Sequence, residues 1–161
     1  GTVIMSACFD EFLKMDLSKI DVDACVAAWP TLEQEQQRAL EIFKDFPVPQ
    51  LGYTEITKKY NDADTLRQQL TKVKENWPEL KERIQNQVYT YDKMVALMKS
   101  VGAPVGPESI GLTRAQVRKM VDFVQLMRWR INLFDLCKRA QIYDTLLDRV
   151  FGKGGVLEIS E

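Results

Sequence analysis

Apolar residues recur three and four positions apart along nearly the whole chain, and no stretch alternates long enough to propose a strand. Val3, Ile4, Ala7, Cys8, Phe12 and Met15, with Glu11 among them, predict an opening amphipathic helix that loosens near "MDLSKIDVD". Asp21 or Asp23 can cap the next helix, "ACVAAW", which Trp29-Pro30 ends because proline drives the preceding residue out of the helical region. Thr31 and Gln34 then form a capping-box pattern for "LEQEQQRALEIF", with Leu32, Ala39, Ile42 and Phe43 available for burial. "KDFPVPQLG" reads as a loop. Helical periodicity resumes from about Tyr53 to Val88, renewed near Asp62 or Asp64 and interrupted at Trp77-Pro78, where proline suits the first turn of a new helix. "TYDKMVALMKSVG" predicts one more short helix, closed by Gly102.

The firmest break is "VGAPVGPESIGL", Val101 to Leu112, which holds Gly102, Gly106 and Gly111 with Pro104 and Pro107. Gly102 stops one helix, Pro104 prevents its resumption, Pro107 can start a single turn over "PESI", and Gly111 stops that turn. Thr113 and Gln116 make a second capping box, with Leu112 and Val117 as its hydrophobic staple, so a long helix is expected from Thr113 or Arg114 to beyond Asp135. At about 100° per residue, Val117, Val121, Val124, Arg128, Ile131 and Asp135 share one face. A charge on such a stripe needs a partner. One reading pairs Arg128 with Asp135, or each with a neighbouring helix, and puts Arg128 at least half out of solvent. The other has Arg128, with Arg130, presenting guanidinium groups to an anionic ligand at a cleft edge.

Length and composition narrow the function classes. At 161 residues the chain can bury a real core as one domain over 1–161 or as a compact pair of helical subdomains. Acidic residues number 23 against 22 basic, for a net charge of −1, so no general field invites nucleic acid or an anionic membrane. Cys8, Cys25 and Cys137 are odd in number, widely separated and form no CxxC pair, which argues against a disulfide framework or a thiolate metal site and for a cytoplasmic setting. No apolar run approaches the roughly 18 to 20 residues of a membrane span. Histidine is absent, which removes Ser-His-Asp and Cys-His nucleophiles, His-ligated zinc and the ordinary general base near neutral pH. No catalytic or metal-ligating residue is therefore assigned. The opening "GTVIMSACFDEFL" also lacks an initiator methionine and a capping residue, as expected of a segment of something longer.

Other features have ordinary explanations. Trp29, Trp77 and Trp129 are expected in the core or between helices, since no basic stripe accompanies them. "GKGG", Gly152 to Gly155, lacks the phosphate-loop spacing and reads as a helix stop. "KVKENWPELKER" reads as a solvated helix face with Val73 and Trp77 turned inward. A helix-turn-helix DNA-binding reading of "LTRAQVRKMV" is opposed by the balanced charge.

"VGAPVGPESIGLTRAQV" resembles the "GAPTTPEEIGI" pattern and following helix of the sn-glycerol-1-phosphate dehydrogenases, relatives of the glycerol and iron-containing alcohol dehydrogenases. "LMRWRINLFDL" is similar to the family's "IRxRYTxLDL", with Arg128, Arg130, Leu133 and Asp135 in matching positions and Ile131 and Asn132 replacing the usual Tyr and Thr. "AWPTLEQE", "KKYNDADTLRQQL" and "NWPELKERI" resemble helical segments of proteobacterial members, and "GTVIMSACFDEFL" resembles the helix after the metal site.

The resemblance implies an all-α helical bundle, the later part of the C-terminal domain of a two-domain enzyme. An N-terminal domain binding NAD or NADP would be its partner, homo-oligomers are possible, and neither nucleic acid nor membrane is implied. The family interconverts dihydroxyacetone phosphate and sn-glycerol-1-phosphate with a divalent metal held by an aspartate and two histidines. Its last histidine ligand precedes the "GT" at Gly1 and Thr2, so no metal or cofactor ligand carries over to this chain, which alone is expected to be inactive. Arg128 and Arg130 are the residues it points to for substrate binding. A free-standing helical interaction module that has lost the chemistry is the alternative.

Overall fold

The computed structural model describes residues 1–159, so positions 160 and 161 of the expected domain lie outside the described residues. The fold is all-α: ten α-helices and two 3-10 turns, with no strand among the described residues. The helices are α1 (Thr2–Leu13), α2 (Val22–Ala27), α3 (Leu32–Phe43), α4 (Leu51–Lys59), α5 (Ala63–Glu75), α6 (Trp77–Gln85), α7 (Tyr91–Ser100), α8 (Arg114–Leu126), α9 (Leu133–Arg139) and α10 (Tyr143–Phe151), with 3-10 turns at Leu17–Lys19 and Pro107–Ile110. No helix is long and apolar enough to cross a membrane.

Local chemistry sets most boundaries. Asp21 accepts from the Ala24 amide at 3.0 Å and starts α2. Both halves of the Thr31–Gln34 capping box form, at 2.8 and 3.2 Å, as do those of Thr113–Gln116, at 2.8 and 3.1 Å. The Asp62 carboxylate accepts from Thr65 at 2.8 Å at the start of α5. Gly102 and Gly111 take left-handed backbone, φ 68° and 76°, so each break closes where a side chain would be strained. Pro107 opens the single turn between them, as expected. α10 stops at Phe151, just before "GKGG". One boundary moves: Leu51 and Gly52, expected in the loop, form the first turn of α4.

The chain packs as two compact units. The first comprises residues 1–19, 73–118 and the segment from Tyr143. In it α1 packs on α7 and α10, and Phe12 meets Trp77 edge-to-face at 5.4 Å. The Asp10 carboxylate accepts from the Tyr91 amide at 2.7 Å, fixing the start of α7.

The second unit comprises residues 20–72 and 119–142. Here α3 packs on α4, and Ala39, Phe43, Ile56 and Leu126 form one apolar cluster with Phe46 and Phe123 against it. A second cluster joins Cys25, Leu66, Leu70 and Ala140. Trp29 stacks on Tyr60 at 5.9 Å, its indole N–H donating to the Asn61 carbonyl at 2.9 Å.

The long helix expected to run past Asp135 is not continuous. α8 ends at Leu126 and α9 begins at Leu133, with Asn132 in extended backbone at φ −123° and ψ 180°. The Asn132 side chain accepts from the Phe134 and Asp135 amides while Asp135 accepts from the Asn132 amide, a capping box that starts α9 afresh. Val117, Val121 and Asp135 of the expected stripe are buried, but Val124 and Ile131 are exposed, and between α8 and α9 this cap and contacts from α4 prevail.

Candidate functional site

The residues flagged by sequence lie on or beside the segment 127–132, in the second unit. Arg128 and Arg130 are both exposed, as are Met127, Trp129 and Ile131. The expected burial of Arg128 and its pairing with Asp135 are therefore corrected. Arg128 lies beyond the end of α8, whose stripe already reaches solvent at Val124, and it has no hydrogen bond or ion pair among the described residues. Arg130 lies over the Trp129 ring, 5.6 Å from its centroid. Trp129 is itself 55% exposed, so of the three tryptophans expected in packing, Trp77 is buried, Trp29 is half-buried and Trp129 faces solvent.

Asp135 is buried as the stripe implied, but its cation is Lys59 at the end of α4. Lys59 Nζ lies 2.8 Å from Asp135 Oδ1, with both side chains almost wholly shielded. The Gln125 amide donates to the same carboxylate oxygen at 2.7 Å, and the Asn132 amide donates to the other at 2.9 Å. Burial pushes the Lys59 ammonium below its ordinary range, against the opposing pull of Asp135.

The cluster extends from this pair. Arg38 donates to Gln125 Oε1 at 2.8 Å and holds buried Glu35 through two bonds, at 2.9 and 2.7 Å. Arg139, also buried, donates to Gln69 at 2.6 Å and to the Lys59 carbonyl at 2.7 Å. No buried side-chain nitrogen or oxygen among the described residues lacks a partner. A network so completely satisfied offers no open valence to a ligand, and its chemistry is that of a brace.

Glu55, one turn before Lys59 on α4, completes the support of the arginine segment. Its Oε2 accepts from the Trp129 amide at 2.6 Å and its Oε1 from Lys58 at 2.7 Å. The Lys58 hydrogen bond, the Trp129 amide and the positive charges of Lys58 and Lys59 hold its carboxyl below the usual range. Gly52, Glu55, Ile56 and Lys59 are all buried on one side of α4. Ile56 is the only large apolar residue among these four, so the spacing gave no sequence signal that Lys59 would be buried against Asp135. For Arg38, Glu35 and Arg139 nothing in sequence separated buried charges from solvated ones.

The metal and nucleotide groups implied by the family resemblance do not fit the residues present. The chain has no histidine, and no cluster of three or more His, Cys, Asp or Glu side chains able to hold a metal occurs among the described residues. The three cysteines are buried as free thiols.

Comparison with family models, curated proteins and solved structures finds no match to this chain.

Proposed function

We propose that the chain is the later helical part of a sn-glycerol-1-phosphate dehydrogenase-like oxidoreductase, dependent on NAD or NADP and a divalent metal and acting on dihydroxyacetone phosphate or glycerol phosphate. The observation that carries this reading is the pair of exposed arginines, Arg128 and Arg130, on a braced segment whose sequence resembles the family's arginine motif. Guanidinium groups free of carboxylates keep their donors for a phosphate. In this reading a preceding nucleotide-binding domain and the earlier part of the helical domain supply the cofactor and metal ligands. The isolated chain performs no step of the reaction. The parent works in the cytoplasm, in phospholipid metabolism, as a monomer or homo-oligomer.

The test is an assay of the complete protein, with added divalent metal, for oxidation of NADH or NADPH by dihydroxyacetone phosphate. Arg128→Met and Arg130→Met are each expected to raise KM for the phosphate substrate more than they lower kcat. Absence of oxidation with either nicotinamide, or unchanged KM in both variants, would overturn the reading.

The exposed Met127, Trp129 and Ile131, and the replacement of the family's Tyr and Thr by Ile131 and Asn132, favour a second reading as a helical interaction module without catalysis. A complete reading frame with no metal-binding histidine upstream of Gly1 would select it.

A further inference from the structure

α8 and α9 together carry enough apolar periodicity for one helix, and in that helix the Trp129 N–H would donate to the Gln125 carbonyl four residues back. α4 takes both halves of that bond. Glu55 Oε2 accepts the Trp129 N–H at 2.6 Å, and the Lys59 ammonium donates to the Gln125 carbonyl. The preceding carbonyl, Val124, would accept from Arg128 in a continuous helix; here it accepts from the Asn132 side chain at 3.3 Å. Three of the helical groups freed by the break thus have substitutes, and two of those substitutes are buried charges one turn apart.

The alternative conformation has a predictable geometry. Rejoined, the helix would place Arg128 one turn beyond exposed Val124 and set Arg130 about 200° around the axis from it, so the two guanidinium groups could not face one ligand together. We infer that Glu55 and Lys59 are positioning residues, which hold 127–132 out of the helix its own spacing specifies and so keep Arg128 and Arg130 on an exposed segment. The conformational role stands on the hydrogen bonds alone; its use toward a phosphate substrate rests on the reading above.

Backbone 13Cα shifts of this chain test the inference in the wild type, Glu55→Gln, Glu55→Asp and Glu55→Ala. Gln keeps an acceptor oxygen at the same reach and should retain the wild-type shifts over 127–132. Ala removes the acceptor and Asp draws it back by one methylene, so in both the shifts over 127–132 should leave their wild-type values while those of α1 and α10 stay put. Persistence of the wild-type shifts in Glu55→Ala would overturn the inference. So would loss of the whole fold in both Ala and Asp variants, because Glu55 would then be holding the core and not the segment.

Titration with inorganic phosphate, read at the Arg128 and Arg130 side chains, separates the two levels. Wild type and Glu55→Gln are expected to bind alike and Glu55→Ala about tenfold more weakly, the cost of lost preorganisation. A local shift change in Glu55→Ala without phosphate binding by the wild type would leave the positioning role standing and remove the substrate reading.

Discussion

Lys59 and Asp135 meet at 2.8 Å with both side chains almost fully shielded, and the carboxylate's other oxygen caps α9 through the Asn132 amide. One buried charge pair therefore joins the end of α4 to the start of α9 inside the second unit. Lys59→Met strands the Asp135 charge and should cost about 3–5 kcal/mol. Lys59→Met with Asp135→Asn removes the stranded charge and keeps the cap acceptor, so the double variant should be less destabilised than the sum of the singles by at least about 1 kcal/mol. Urea denaturation of the three variants measures the coupling, and additive losses would show there is none.

Arg128→Met should change stability by no more than about 0.5 kcal/mol, the range of exposed substitutions away from special contacts. Arg128 is exposed and has no partner among the described residues. A loss of several kcal/mol would restore the buried pairing read from the stripe.

The ordinary value of the Glu55 carboxyl is 4.5, and the folded state lowers it, chiefly through Lys58. A carboxyl with a lowered folded value stabilises the fold fully above its unfolded value, and that contribution disappears as pH falls through the folded one. Wild type should therefore exceed Glu55→Gln in stability near neutrality, and the gap should close on acidification from about pH 7 to about pH 3. A gap that widens on acidification would reverse the assignment.

Burial pushes the Cys8 thiol up to about 12, and Cys25 and Cys137 are buried too. Because the thiolate is the reactive species, native protein at about pH 8 should resist an aromatic disulfide reagent until denaturant is added. Rapid labelling of all three thiols without denaturant would contradict the packing.

Gly52 on α4 lies so close to the Phe43 ring that an added Cβ would sit 2.8 Å from Cδ2 and 3.3 Å from the Ala39 Cβ. Phe43 is itself fully buried and packed against Phe46 and Phe123, so the ring has little room to yield. Gly52→Ala gains up to about 1 kcal/mol of helix propensity. Overpacking costs about 1–3 kcal/mol, so a net loss is expected in thermal denaturation. A higher Tm would mean that α3 and α4 separate easily.

Sequence alone determined the helical class and most boundaries, because capping boxes, N-caps and glycine stops act within a few residues of themselves. Thr31 with Gln34, Thr113 with Gln116, Asp21, Gly102 and Gly111 each specify a boundary whatever the rest of the chain does. Asp135 was legible as a buried charge for the same reason: its place on a periodic stripe is local information. Its partner was not. Glu55 and Lys59, spaced as an ordinary helix-surface pair, reach across roughly seventy positions of chain to take apart a helix whose spacing is continuous. The Asn132–Asp135 capping box was a local signal that a helix could restart at Leu133, but only the tertiary structure decided between that restart and a continuous helix, since Glu55 and Lys59 act on the break from residues that periodicity places nowhere near it.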